Sequence, residues 1–387
     1  MSDGTVRLAL CQRIVPEFRV PVWRRLASEK GIDLTVFCGG GYGKGSTAEA
    51  VDRSGLHVRH LTTLPISRRG RYRVFHPGLV HAVLSGDFDV VLCEGLTYFP
   101  NSLALEVACR IQGTPFLLYE APPVSGESRT RRSMSPIYRR LATGLVTYSS
   151  WGKVYYTDRG VSPDKVTVAL NTVDTDLVKE RLAAFSSSRT SMERSLGLGG
   201  RFVAGYIGGL EERKRPELLV ESVLDLARKG VPITALLIGD GPMRKSLEDM
   251  VPREYSGSVV FAGRRVDDAE RYLQLCSVLV LPSQGGLAVP HALTCGVPCI
   301  VTEEAEGPGI RDYVTDGENG FVLPAAPSVM ELSSILRTLV GDAAELERLH
   351  AGALASRERF SVGRMVSALA DAARRAAAGE PSTGIHP

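Results

Sequence analysis

Short apolar runs rich in Val, Ile and Leu alternate along the chain with stretches whose apolar positions recur every three or four residues. The first kind fits strands buried on both faces of a parallel sheet, and the second fits the helices that cover them. In the first half the pattern predicts strands at 6–11, 34–38, 58–61, 90–93, 116–119, 145–148 and 166–170, and helices at 22–30, 77–84, 102–112 and 151–159. In the second half it predicts strands at 202–207, 233–238, 259–261, 278–281, 299–301 and 321–323, and helices at 216–229, 243–250, 269–275, 329–339 and 343–357. The alternation predicts an α/β fold, and 387 residues exceed what one core usually organises. Two doubly wound Rossmann-like domains follow.

Ser186-Ser187-Ser188-Arg189-Thr190-Ser191 is polar and aperiodic, which marks a linker or exposed joint. The expected organisation is a first domain over 1–185, a linker over 186–196, a second domain over 197–365, and a crossover helix with tail over 366–387. The amphipathic stretch 362–377 is placed to pack back onto the first domain, and the Gly/Pro/Ser-rich end beyond it should fray.

No uncharged apolar run approaches membrane-spanning length, and residues 1–13 lack a secretory pattern, so a soluble cytoplasmic protein is expected. The seven cysteines are odd in number, show no Cys-x-x-Cys pairing and sit mostly in apolar runs. They fit reduced core residues, with neither metal nor disulfide framework implied. Net charge is only +3, but it is unevenly spread: 24 basic against 17 acidic residues in 1–185, and 22 against 26 in 186–387. The basic excess gathers in Arg68-Arg69-Gly70-Arg71-Tyr72-Arg73 and in Arg129, Arg131, Arg132, Arg139 and Arg140. These clusters suit an anionic membrane surface, a lipid-phosphate acceptor or an acidic polysaccharide; solvated loop and helix faces are the alternative. No groove-reading motif or aromatic interleaving points to nucleic acid.

Ligands of doubly wound sheets sit at the carboxyl ends of strands. Four glycine-bearing turns follow strands of the second half: Gly208-Gly209, leading to Glu211-Glu212-Arg213-Lys214-Arg215-Pro216; Gly239-Asp240-Gly241-Pro242; Gly263-Arg264; and Ser283-Gln284-Gly285-Gly286-Leu287. The last opens a helix with unpaired amides and no side chains at the glycines to keep a diphosphate away. Lys214, with Arg213 or Arg215, would neutralise it.

The order GYIGGLEERKRPELLVES, LLIGDGPMRKSLE, VVFAGRR, VLVLPSQGGLAVPHALTCGVPCIV, RDYVTDGENGFVLP resembles the nucleotide-sugar domain of GT-B-fold, family-4-type retaining glycosyltransferases. YSSWGKVYYTDRGVSPDKVTVALNTVDTD resembles the segment closing the family's acceptor domain, and VPEFRVPVWRRLASEKGIDLTVFCGG its opening loop and helix, in the branch that builds glycoconjugates and polysaccharides. The resemblance implies two domains facing a central cleft and a hexosyltransferase-type enzyme. A nucleotide-diphosphate sugar would be co-substrate, without further cofactor, and a sugar, lipid-linked group or small molecule would be the acceptor.

It also assigns residues. Lys214 would bind donor phosphate, Gly239 to Pro242 would lie near the nucleoside, and Gly285 and Gly286 would admit the diphosphate. Asn171 and Asp174 match a turn at the domain junction, where a turn-stabilising role is the simpler reading. The chain departs from the family at three positions. Ser283 and His291 stand where two glutamates eight positions apart are usual, and Gly209 stands where an arginine is usual. A hydroxyl and an imidazole do not reproduce two acceptor-only carboxylates. His291 either bonds ribose or phosphate or is a satisfied core histidine.

Retaining chemistry of this kind asks the protein mainly to stabilise charge on the departing diphosphate, a task suited to Lys214, Arg213 and the amides of Gly286 and Leu287. Glu94 and Glu120 end first-half strands and should face the cleft to orient the acceptor hydroxyl; the alternative is loop-bonded carboxylates. The run Gly39 to Ser46 fails as a P-loop because Gly45 follows Lys44, and no Asp-x-Asp ends a second-half strand, so no metal is expected. A catalytically idle subunit that binds a nucleotide sugar and supports a partner transferase remains the alternative to an enzyme.

Overall fold

A computed structural model describes residues 4–40, 50, 52–68, 71–95, 99–122, 138–185, 189–265, 267–283, 285–303 and 309–380. The chain forms two compact units, Met1–Asp174 with Val362–Pro387, and Thr175–Ser361.

The first unit contains β1 (Val6–Cys11), β2 (Ile32–Cys38), β3 (His57–His60), β4 (Leu64–Arg68), β5 (Arg71–Phe75), β6 (Val90–Glu94), β7 (Phe116–Tyr119), β8 (Gly144–Thr147) and β9 (Val166–Val168). Seven of these form one sheet in the order β3-β2-β1-β6-β7-β8-β9, and the register is parallel. Its helices are α1 (Val20–Ala27), α2 (Leu79–Leu84), α3 (Asn101–Gln112) and α4 (Ser150–Thr157). Helix α1 starts with proline in its first turn and buries Val20, Val22, Trp23 and Leu26. Helix α4 is capped by Ser149, whose side chain accepts the Gly152 amide. Strands β4 and β5 pair antiparallel as a hairpin, where the sequence pattern suggested only a basic loop. Arg69, Gly70, Arg129, Arg131, Arg132 and residues 41–46 lie outside the described residues.

The second unit contains α5 (Thr175–Phe185), α6 (Arg189–Ser195), β10 (Phe202–Ile207), α7 (Pro216–Arg228), β11 (Ile233–Ile238), α8 (Arg244–Asp249), β12 (Val259–Gly263), α9 (Ala269–Leu273), β13 (Val278–Leu281), α10 (Ala288–Thr294), β14 (Cys299–Thr302), β15 (Gly320–Leu323), α11 (Val329–Gly341) and α12 (Ala343–Ser356). Its parallel sheet runs β12-β11-β10-β13-β14-β15. That is the Rossmann order, with its topological switch between β10 and β13. Helix α11 opens with a full capping box, Ser328 with Glu331.

The division falls at 174/175, before the expected boundary at 185. Val178, Leu182 and Phe185 are buried at helical spacing on α5, and that stripe packs α5 against α9 and α10. Arg189–Ser195 is helical where a linker was expected. The chain returns at Val362, and α13 (Val362–Ala378) packs on α1 with Val366, Leu369 and a row of small alanines buried. No helix among the described residues is long and apolar enough to cross a membrane.

Candidate functional site

In the second unit, the turns after β10, β11 and β12 are tied directly to one another. Gly208 N–H donates to Ile238 (3.0 Å), Gly239 N–H to Gly263 (2.9 Å), and Leu210 N–H to Asp240 (3.0 Å). Met243 N–H returns to the Leu210 carbonyl at 3.0 Å. A Cβ at Gly239 would stand 1.8 Å from the Gly208 carbonyl oxygen, and φ there is +153°, so only glycine lets the turns approach this closely. The buried Tyr206 hydroxyl donates to the Gly209 carbonyl at 2.8 Å and fixes the outgoing chain. Gly208, Gly209, Gly239, Asp240, Gly241, Pro242 and Gly263 are thus brought together at the carboxyl edge of the sheet. Arg264 is exposed beside them.

The three cations that follow β10 have different fates. Lys214 ends a short 3-10 turn, Glu212–Lys214, and its Nζ lies 3.3 Å from where a Gly208 Cβ would sit. Nζ has no hydrogen-bond or ion-pair partner among the described residues. Burial lowers its pKa, the Arg213 charge adds to this, and Glu211 opposes it. Arg213 is exposed, and its Nε donates to Glu211 at 2.7 Å. Arg215 takes a left-handed backbone (φ +53°), with Nη2 3.4 Å from the Pro327 carbonyl and Nε 3.9 Å from Glu217. Two of the three arginine and lysine charges are therefore already engaged; Lys214 is not.

Across the switch point, Ser283, Gly285, Gly286 and Leu287 connect β13 to α10, and Gln284 lies outside the described residues. Gly286 has a left-handed backbone (φ +53°) with open space where a Cβ would point. Helix α10 has only seven residues, so its dipole is short. Its second turn carries His291, whose Nε2 is buried and faces Glu270 Oε2 at 3.7 Å.

In the first unit the switch point lies between β1 and β6, and an ion pair closes it: Glu94 Oε1 accepts Arg13 Nε at 2.7 Å and Oε2 accepts the Arg13 amide at 3.0 Å. Glu120 does not present an open carboxylate as expected. It is 5% exposed and accepts Arg139 Nε at 2.5 Å, while Arg139 is 3% exposed and lies over the Tyr156 ring at 4.8 Å. All seven cysteines are free thiols. Among the described residues, no three His, Cys, Asp or Glu side chains converge as a metal ion would need.

Residues 201–342 match the family model described as "Glycosyl transferases group 1". That match lies wholly within the second unit. Among curated proteins, the chain is 29% identical to the 2-deoxystreptamine glucosyltransferase of Streptomyces kanamyceticus over 272 residues, 65% of this chain and 68% of that protein. It is 26% identical over 121 residues to an uncharacterized glycosyltransferase of Methanocaldococcus jannaschii, 30% of this chain and 32% of that protein. The chain thus spans about a third of that relative's length. The crystal structure of Anabaena HepE in complex with UDP superposes with a TM-score of 0.74 at 20% identity, covering 95% of this chain and 98% of that one. The fold is GT-B.

Within the matched region, sequence reasoning missed Glu270. This carboxylate at the start of α9 is 3% exposed, with Arg181 Nη1 of α5 3.3 Å from Oε1 and His291 facing Oε2. An acidic residue in a first helical turn ordinarily reads as a dipole partner, and nothing local distinguishes this one. In the first unit, Arg139 appeared only as part of a basic cluster, although it is a buried partner of Glu120.

Proposed function

We propose that the chain is a glycosyltransferase that moves a sugar from a nucleotide-diphosphate sugar to a hydroxyl acceptor with retention of anomeric configuration. The observation that carries this reading is the set of mutually bonded glycine turns after β10, β11 and β12 at the carboxyl edge of the second unit's sheet, beside an unpartnered Lys214. Half-buried ammonium, free amides and room for a backbone approach suit a diphosphate. The group 1 match and the transferase relatives favour an enzyme over an idle binding subunit.

In the step proposed, the acceptor hydroxyl attacks the anomeric carbon on the face from which the nucleoside diphosphate departs. The bond from that carbon to the phosphate oxygen breaks, and the hydroxyl proton passes to the leaving diphosphate. Lys214 opposes the developing negative charge, helped by the amides of Gly286 and Leu287. Gly239 to Pro242, Gly263 and Arg264 would border the nucleoside, with Ser283 and His291 replacing carboxylates as donor contacts. Arg213 would have to leave Glu211 to assist. The Arg13–Glu94 pair is the better candidate for orienting the acceptor, since Glu120 is held by Arg139. We place the enzyme in the cytoplasm, with its basic loops available to an anionic membrane or lipid-linked acceptor.

The test is thermal stabilisation across UDP-, GDP-, dTDP- and CMP-sugars, followed by transfer from whichever donor stabilises. Selective stabilisation and a product with the donor's anomeric configuration are expected. No stabilisation by any donor overturns the reading.

A further inference from the structure

Glu270, His291 and Arg181 form a polar cluster joining α9, α10 and α5. A carboxylate as buried as Glu270 is costly unless charge or hydrogen bonds compensate it. Burial alone pushes its pKa up, yet His291, the backbone and Arg181 together bring it below the usual range. The group is an anion. Arg181, at 3.3 Å, retains 39% side-chain exposure, so water shares its charge. The other oxygen looks onto Nε2 of His291.

At 3.7 Å the carboxylate is just beyond hydrogen-bond contact and Nε2 has no other partner among the described residues, but the facing negative charge favours a proton on that nitrogen, because two lone pairs would repel. In a neutral imidazole the second nitrogen is then an acceptor. Nδ1 of His291 has no partner among the described residues and is absent from the buried unpaired atoms, while the side chain keeps 17% exposure. Helical side chains lean toward the N-terminus, so His291 covers the turn below it, towards Leu287. We propose that Glu270 is a positioning residue that holds His291 as the Nε2–H tautomer and so presents Nδ1 as an acceptor to a hydroxyl group of the nucleotide sugar. The arrangement restores, through a histidine, the acceptor character of a carboxylate without placing a second negative charge beside the diphosphate. It rests on the preceding assignment of the glycine turn to the donor.

The experiment uses the full chain with ¹⁵N-histidine. In two-bond ¹H–¹⁵N spectra, the His291 ring, assigned by its loss in His291→Ala, should show an Nε2–H, unprotonated-Nδ1 pattern. In Glu270→Gln, Arg181 keeps the amide oxygen and the –NH2 faces Nε2, so the ring should shift towards Nδ1–H. Calorimetry with UDP and GDP should show affinity for the nucleotide that binds falling about tenfold in Glu270→Gln and in His291→Ala, with no further loss in the double variant. An imidazolium or Nδ1–H ring in the wild type overturns the assignment, as does additive loss in the double variant or an inverted tautomer with unchanged affinity. Wild type that binds neither nucleotide instead overturns the donor-site reading beneath it.

Discussion

Arg139 Nε donates to Glu120 Oε1 at 2.5 Å, and the two side chains keep 3% and 5% of their exposure. Each offsets part of the other's charge penalty, so truncating one removes that compensation from a buried charge. Glu120→Ala should destabilise the protein by about 3–5 kcal/mol. Urea unfolding checks this. Wild-type stability combined with lost transfer would instead return Glu120 to the acceptor site.

Glu106 on α3 is 1% exposed, and neither carboxyl oxygen has a hydrogen-bond partner among the described residues. Burial is the main reason its pKa rises to about 8, with Glu120 adding to the rise and Arg110 opposing it. The folded chain therefore holds a proton that the unfolded chain releases near about pH 4.3. Stability from this group is complete below that pH and is lost as pH climbs to about 8, with a slope approaching ~1.4 kcal/mol per pH unit. Glu106→Gln should flatten this dependence. Denaturation at pH 6 and pH 8.5 compares the two proteins, and an equal slope in both would remove Glu106 as its source.

Lys214 is half-buried and unpaired, so Lys214→Ala should leave the fold intact. If its charge meets the departing diphosphate, transfer should fall by a factor of roughly hundreds, mainly in kcat. Steady-state kinetics with a matched melting curve decides. Unchanged turnover would take Lys214 out of the site.

Gly239→Ala inserts a Cβ 1.8 Å from the Gly208 carbonyl oxygen. Backbone must move, which breaks the bond from Gly208 N–H to Ile238 and spreads the linked turns. A lower melting temperature and weakened nucleotide binding are expected together. Gly230→Ala, where a Cβ meets nothing within 4 Å, is the control: its positive φ (+77°) carries strain without a clash. Equal effects of the two substitutions would mean that backbone strain, rather than close approach, sets the loss.

The strands were legible in the chain because a parallel strand buried on both faces must be apolar throughout. Val6–Cys11, Phe202–Ile207, Ile233–Ile238 and Val278–Leu281 have the bounds the pattern predicts. The glycine turns were legible for a related reason: each is a contiguous group at the end of such a run, and the Rossmann strand order gathers them on one edge. Hairpin β4–β5 was not, because its five-residue strands mix apolar residues with arginines and so lack the continuous apolar run of a buried strand.

Sequence by itself determined the α/β class, the strand positions and the residue types available at the second unit's switch point. Tertiary structure alone decided which charges are free. An amphipathic pattern shows that α5 has an apolar face without naming what covers it, and packing assigns that face to α9 and α10. Glu120 meets Arg139 from 19 positions away and Arg181 meets Glu270 from 89, separations at which no local rule operates. Burial and pairing depend on the folded chain's low dielectric and three-dimensional proximity. Lys214 therefore stands out as unpartnered, and Glu120 as engaged by an arginine, only once the fold has brought their neighbours to them.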